Sequence, residues 1–246
     1  MARKITMKKL IIANWKAYLS LDKAIALSRS LSANNNVIIA PSVIHLAFLA
    51  QKFPHLNFAA QDISSITNNY GAYTGETPAI MLQDIGVKYA IIGHSERRSN
   101  MLDNAHSISL KLQYCLKLGI TPIVCIGETL EDRKKKIHLD VIAKQLHAIF
   151  DNIGNLDGDI VIAYEPFWSV GTGVVPSFTE IKEVISTARA TVNFVDNRLF
   201  LVYGGGVKRE NAYDLINLDG VDGLLMGKAS IDMDLFGAIL SSCTMR

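Results

Sequence analysis

Three side chains capable of acid–base chemistry stand in equivalent places along this chain of 246 residues. Glu165 ends the apolar run Ile160-Val161-Ile162-Ala163-Tyr164, which reads as a buried strand. Pro166 stops the ladder there, because it has no N–H to give. His94 follows a second apolar run at residues 89–92 and opens His94-Ser95-Glu96-Arg97-Arg98. Lys16, with Asn14 beside it, follows a third run at residues 10–13. A carboxylate and an imidazole facing one pocket suit abstraction of a proton next to a carbonyl. The carboxylate takes the carbon-bound proton, and the imidazole polarises the carbonyl oxygen. Lys16 supplies fixed positive charge for an anionic ligand and a developing enediolate. This chemistry requires neither metal nor cofactor. The chain has no Gly-x-Ser-x-Gly elbow, so hydrolysis is not indicated.

Glycines add a second kind of signal. Tyr203-Gly204-Gly205-Gly206 and Met226-Gly227-Lys228-Ala229-Ser230 each release backbone N–H groups near a helix start. Such groups make an anion site, and in α/β barrels the loops after the last two strands often hold phosphate. Gly171-Thr172-Gly173, after Glu165, offers a further N–H from a loop free to bend. The plainer alternative is that these glycines only make tight turns.

The elements that must position these groups alternate strictly. Strands are expected at residues 10–13, 37–40, 57–61, 89–92, 122–126, 160–164, 199–203 and 223–226. Helices are expected at residues 22–33, 44–52, 78–84, 108–118, 130–149, 179–192, 210–216 and 231–240. Ser177 and Glu180 have capping-box spacing at the start of one helix, and Gly119 ends another. The strands read as continuous apolar runs, as strands buried on both faces do. Eight β/α units over this length predict one (β/α)8 barrel domain spanning residues 1–246, with residues 1–6 a flexible extension if Met7 is the true start. A doubly wound open sheet is the competitor, but it wants a glycine-rich fingerprint where Asn14-Trp15-Lys16 stands. The long polar loop at residues 62–77 is of a length usually reserved for function or an interface.

Composition narrows the partners. With 49% apolar and 20% charged residues the chain is an ordered globule. A net charge of +2 is too mild to imply nucleic acid or membrane as a partner. The three cysteines, Cys115, Cys125 and Cys243, are odd in number and widely spaced, which favours a reducing compartment such as the cytoplasm. Cys125, apolar on both sides, reads as a buried core thiol.

The motifs Asn14-Trp15-Lys16, Gly93-His94-Ser95-Glu96-Arg97-Arg98, Cys125-Ile126-Gly127-Glu128, Ala163-Tyr164-Glu165-Pro166-x-Trp168-x-x-Gly171-Thr172-Gly173, Tyr203-Gly204-Gly205-x-Val207 and Gly223-x-Leu225-x-Gly227 come in one order and span nearly the whole chain. In that order they resemble the triosephosphate isomerase family. The resemblance implies interconversion of dihydroxyacetone phosphate and D-glyceraldehyde 3-phosphate through an enediolate, in glycolysis and gluconeogenesis. It implies that Glu165 is the base and that His94 is a neutral electrophile. This division of roles is the family's known one rather than an independent derivation. Lys16 and Asn14 then bind and polarise substrate, with Glu96 and Ser95 supporting them. Gly171, Gly206, Gly227 and Lys228 grip the phosphate, and residues 166–176 close over the intermediate. The resemblance further implies a homodimer, with Tyr73, Thr74 and Glu76 on the arm and Arg97 pairing with Glu76 across the interface.

Several positions depart from the family pattern. Gly206 stands in place of a serine, and Ser169 in place of an alanine. Lys228 replaces a second glycine, which implies backbone strain if that position needs a positive φ. Val174-Val175-Pro176 makes a stiff far end to the loop, and Asp103 stands where the family tends to have glutamate. Another phosphate-binding barrel, such as an epimerase or synthase, shares the glycines but not the paired His94 and Glu165 motifs. A barrel kept only for interaction needs none of these side chains.

Overall fold

The computed structural model describes residues 9–34, 36–100, 103–151, 153–154, 158–169, 174–192 and 199–244. The extension expected at residues 1–6 and the loop glycine Gly171 lie outside them. Eight parallel strands close into a barrel in sequence order: β1 Leu10–Asn14, β2 Val37–Ala40, β3 Asn57–Ala60, β4 Tyr89–Ile92, β5 Thr121–Ile126, β6 Ile160–Tyr164, β7 Leu199–Gly204 and β8 Gly223–Met226. The last strand pairs back onto the first, Ile11 opposite Leu224 and Ala13 opposite Met226. This is the (β/α)8 barrel that the alternation predicts.

Strand side chains alternate between two apolar layers, because successive Cβ atoms point to opposite faces. Ile12, Ile38, Ile91, Ile123, Val161, Val202 and Leu225 fill the barrel interior. Their neighbours in sequence, such as Ile11, Ile39, Ile92, Val124 and Ile162, pack outward against the helices. Both faces are therefore dry, which is why no strand shows polar alternation. Burying one such side chain contributes roughly 1.5–3 kcal/mol.

The helices are α1 Leu21–Ser30, α2 Val43–Lys52, α3 Ala79–Asp84, α4 Ser95–Asn100, α5 Ala105–Lys117, α6 Leu130–Lys134, α7 His138–Phe150, α8 Phe178–Thr191, α9 Arg209–Ile216 and α10 Met233–Thr244, with a 3₁₀ turn at Lys228–Ser230 before the last. Among the described residues, no helix is long and apolar enough to cross a membrane. The Ser177–Glu180 capping box forms as its spacing predicts.

Three departures from the sequence reading have local causes. The helix expected over residues 130–149 is two. Lys136 turns left-handed at φ +58°, and the chain restarts at His138. The apolar spacing continues through this break, so it carried no warning. Helix α4 was not anticipated, because Ser95-Glu96-Arg97-Arg98-Ser99-Asn100 has no apolar periodicity. The last helix runs as a 3₁₀ turn followed by α10, which Asp232 caps through its Oδ1 at 2.9 Å from the Leu235 amide.

Candidate active site

Parity along β6 delivers Glu165 to the barrel mouth. Val161 and Ala163 face the interior, and Glu165 takes the next inward place. Its amide donates to the Ile126 carbonyl at 2.8 Å, so the strand-end geometry extends one residue past the ladder. The residue is only 3% exposed. The same parity on β7 and β8 gives Gly204 and Gly227, whose missing side chains keep the mouth open. A Cβ on Gly204 would lie 2.7 Å from Glu165 Cγ.

His94 reaches the same space from β4. Gly93 turns left-handed at φ +67°, and α4 begins at Ser95. The buried ring places Nε2 at 3.5 Å from Glu165 Oε2. Its Nδ1 accepts the Glu96 amide N–H at 3.2 Å. Burial lowers the His94 pKa, whereas the Glu165 carboxylate raises it, and the balance lies above the ordinary imidazole value. The amide at Nδ1 opposes that balance and decides the tautomer. A ring that accepts at Nδ1 is neutral, and its one proton is assigned to Nε2, facing Glu165. Burial raises the Glu165 pKa, but His94, the Cys125 thiol and Lys16 together lower it further, and it sits below the usual carboxylate range.

Lys16 completes the set from β1. Its Nζ donates to Glu96 Oε1 at 2.7 Å, and its amide donates to Asn14 Oδ1 at 3.1 Å. The backbone holds a left-handed φ of +47°, which costs a non-glycine residue about 1–2 kcal/mol. The Gln61 side chain pins this turn by donating to the Lys16 carbonyl at 2.8 Å and to Ala40 O at 2.9 Å. The sequence places Gln61 at the end of the third strand; the ladder stops at Ala60, and the Gln61 amide instead holds the lysine in place.

An open pocket of about 820 Å³ adjoins Lys16 and Glu165, lined also by Gly205, Gly206, Lys208, Gly227 and Lys228. The glycine-rich ends of β7 and β8 thus meet beside the carboxylate. Gly206 has φ +58°, and a Cβ there would lie 2.7 Å from Val175 Cγ2. Lys228 opens the 3₁₀ turn without a positive φ, so the strain considered for a side chain at this position is absent. Among the described residues, no group of three or more His, Cys, Asp or Glu side chains converges on a metal position.

The start of the loop after Glu165 is tied down. Fully buried Glu128 accepts from Trp168 Nε1 at 3.0 Å, from Arg133 Nε at 2.8 Å and from the Tyr164 hydroxyl at 3.2 Å. The Arg133 guanidinium also lies 5.8 Å from the Trp168 ring centre. Ser169 is fully buried, and its hydroxyl donates to Val174 O across the loop. Arg133, in the basic run Arg133-Lys134-Lys135-Lys136, is therefore not a merely solvated side chain. Cys125 is buried as expected, and burial pushes its thiol pKa well up.

Next to Glu96 on α4, Arg97 pairs within the chain with Asp62 at 2.8 Å and lies 3.6 Å from Asp103. Buried Lys111 binds both carboxylates, at 2.8 and 2.9 Å. Tyr73 and Thr74 are exposed, Glu76 is half-buried, and Ser95 is buried at the first position of α4. Val43, Ile44, Phe48, Ile66 and Tyr70 also leave apolar surface exposed.

A (β/α)8 fold with a buried carboxylate opposed to a neutral imidazole at its C-terminal mouth defines a class: barrel enzymes that move a proton beside the carbonyl of a small anion. Comparison with known proteins narrows it. The profile of the family described as triosephosphate isomerase matches residues 9–243. Triosephosphate isomerase of Orientia tsutsugamushi (strain Ikeda) is 38% identical over 248 residues, covering 96% of this chain and 98% of that protein. Its counterpart in Francisella tularensis subsp. holarctica (strain LVS) is 38% identical over 247 residues, covering 96% and 97%. The chain belongs to the triosephosphate isomerase family.

Proposed function

We propose that Glu165, His94 and Lys16 carry the reaction of this family in the present chain, the interconversion of dihydroxyacetone phosphate and D-glyceraldehyde 3-phosphate. Glu165 removes the carbon-bound proton next to the carbonyl. The electron pair moves to the carbonyl oxygen and gives an enediolate; the proton of the neighbouring hydroxyl passes to that oxygen, and the carboxylic acid returns the carbon-bound proton to the adjacent carbon as the deprotonated oxygen closes the new carbonyl. His94 donates its Nε2 proton as a hydrogen bond to the developing oxyanion. A neutral donor suits this step, because it stabilises charge without surrendering its proton early. Lys16 and Asn14 hold the substrate, Glu96 holds Lys16, and Ser95 supports the turn. Backbone N–H groups of Gly171, Gly206, Gly227 and Lys228 bind the phosphate.

The observation that carries this reading is the 3.5 Å approach of His94 Nε2 to Glu165 Oε2, with Nδ1 already committed as an acceptor. The reaction belongs to glycolysis and gluconeogenesis, in the cytoplasm. The exposed Tyr73 and Thr74, with Glu76, form the arm of a homodimer, and Arg97 meets Glu76 across its interface. A coupled assay of triose phosphate interconversion tests the reading. Glu165→Asp retracts the carboxylate by about 1 Å, and kcat falls on the order of 10²-fold. A parent protein with no turnover, or a variant at parental rate, overturns it.

A further inference from the structure

The motif Gly93-His94-Ser95-Glu96-Arg97-Arg98 contains two arginines, and among the described residues only Arg97 has a carboxylate partner. Arg97 turns toward Asp62 and Asp103. Arg98, the next residue on α4, turns the other way and is half-buried. Its Nε donates to Gly93 O at 2.7 Å, and its Nη2 donates to Cys125 O at 2.8 Å. Among the described residues no carboxylate lies within ion-pair distance of it. Burial presses its pKa down, but an arginine stays charged. A charged fork has thus been brought beside the site to hold two carbonyls.

Those carbonyls are at informative places. The β4–β5 ladder ends with Ile92 opposite Val124. Gly93 and Cys125 are the next residues on each strand, so the guanidinium continues the pairing where backbone donors stop. Gly93 O belongs to the peptide that carries the His94 amide. Cys125 precedes Ile126, whose carbonyl accepts the Glu165 amide at 2.8 Å. Arg98 also sits on α4, whose first turn supplies the Glu96 amide that fixes His94 Nδ1. One planar fork therefore ties together the strand end bearing His94, the strand end supporting Glu165 and the helix that sets the imidazole tautomer. Gly93 is shaped to this contact, since a Cβ there would lie 3.3 Å from Arg98 Nη2 and 2.7 Å from Ile108 Cδ1.

We propose that Arg98 is a positioning residue for proton transfer, clamping the ends of β4 and β5 so that His94 Nε2–H and the Glu165 carboxylate meet in register. The proposal rests on the function given above. It acts through His94 and touches no substrate. Lysine cannot replace it, because one ammonium on a flexible stem lacks the rigid two-pronged geometry.

The test uses the whole enzyme with Arg98→Lys and Arg98→Gln, beside the parent and Arg189→Lys, which alters an ion pair to Asp222 outside the site. In Arg98→Lys, kcat falls on the order of 10²-fold with KM nearly unchanged, because the loss falls on the transition state. Heteronuclear NMR of ring-labelled histidine shows His94 as a single Nε2–H tautomer in the parent and as a mixture, or an imidazolium, in the variant. Arg189→Lys alters neither. Parental kcat with a parental His94 signal in Arg98→Lys overturns the proposal. So does a loss of rate matched only by a loss of folded protein, with His94 unchanged in the folded fraction. If Arg98→Gln does not fold, Arg98→Lys decides alone. If the parent itself shows no turnover, the function fails, and the His94 signal still judges the clamp.

Discussion

Lys16, past the end of β1, and Glu96, on α4 after β4, meet at 2.7 Å, and the same glutamate gives its backbone N–H to His94 Nδ1. One residue therefore fixes the position of the cation through its side chain and the tautomer of the imidazole through its amide. The two functions separate under substitution. Glu96→Ala keeps the amide and loses the carboxylate.

Substrate binding is expected to suffer first in Glu96→Ala, with kcat/KM falling about 10-fold or more as Lys16 loses its orientation. Stability changes by less than about 1 kcal/mol, because the Glu96 side chain is 52% exposed and the pair is screened. Steady-state kinetics with a urea melt on the same sample measure both. A large stability loss with unchanged KM contradicts this account.

Glu165 is held below the ordinary carboxylate range, so the acid limb that Glu165 contributes to kcat/KM is expected to lie below about pH 4.3, the ordinary value for a glutamate side chain. The stability linkage has the same sign. A carboxylate whose folded pKa is lowered contributes stability above its unfolded value and loses it as pH falls through the folded one. A pH–rate profile, read with circular dichroism to exclude acid unfolding, checks this. A Glu165 limb at or above that ordinary value contradicts it.

Lys228 lines the same pocket as Gly206 and Gly227, and its backbone is relaxed. Lys228→Gly is expected to weaken competitive inhibition by inorganic phosphate a few-fold, and to reduce its salt dependence, since one exposed charge is worth roughly 0.3–1 kcal/mol there. Equal inhibition constants across a salt series remove any role for the ammonium.

Gly206→Ser, which restores the family's usual residue, is expected to destabilise this chain. The new Cβ meets Val175 Cγ2 at 2.7 Å, and φ +58° adds about 1–2 kcal/mol. Val175→Ala relieves the first cause and not the second, so a double-mutant cycle on thermal unfolding should show positive coupling of about 0.5 kcal/mol or more. Additive effects would mean that Val175 does not crowd this glycine.

Lys111→Met leaves Asp62 and Asp103 with Arg97 as their remaining cation. Breaking a buried pair by removing one partner costs about 3–5 kcal/mol. A shift of the urea midpoint at unchanged slope measures it. Parental stability would show that the carboxylates escape to solvent.

What the sequence determined by itself was local. Eight apolar runs buried on both faces, each followed by a helical stretch, specify strands and their parallel direction. Within β6, the period of two assigns Val161, Ala163 and Glu165 to one face, because a pleated backbone leaves no other choice. The capping pair Ser177 and Glu180 works the same way, through bonds that span three positions. Closure was a matter of tertiary structure. Only when β8 returns to β1 do Lys16, His94 and Glu165 face one another. Strand tilt and register, which no single run encodes, set the 3.5 Å between the last two. Backbone turns at Lys16, Gly93 and Lys136 also followed from distant anchors, such as the Gln61 amide on the Lys16 carbonyl. Adjacent arginines on α4 diverge for the same reason. Arg97 and Arg98 look alike in the chain, and only the surrounding carbonyls and carboxylates decide which is an ion pair and which a clamp.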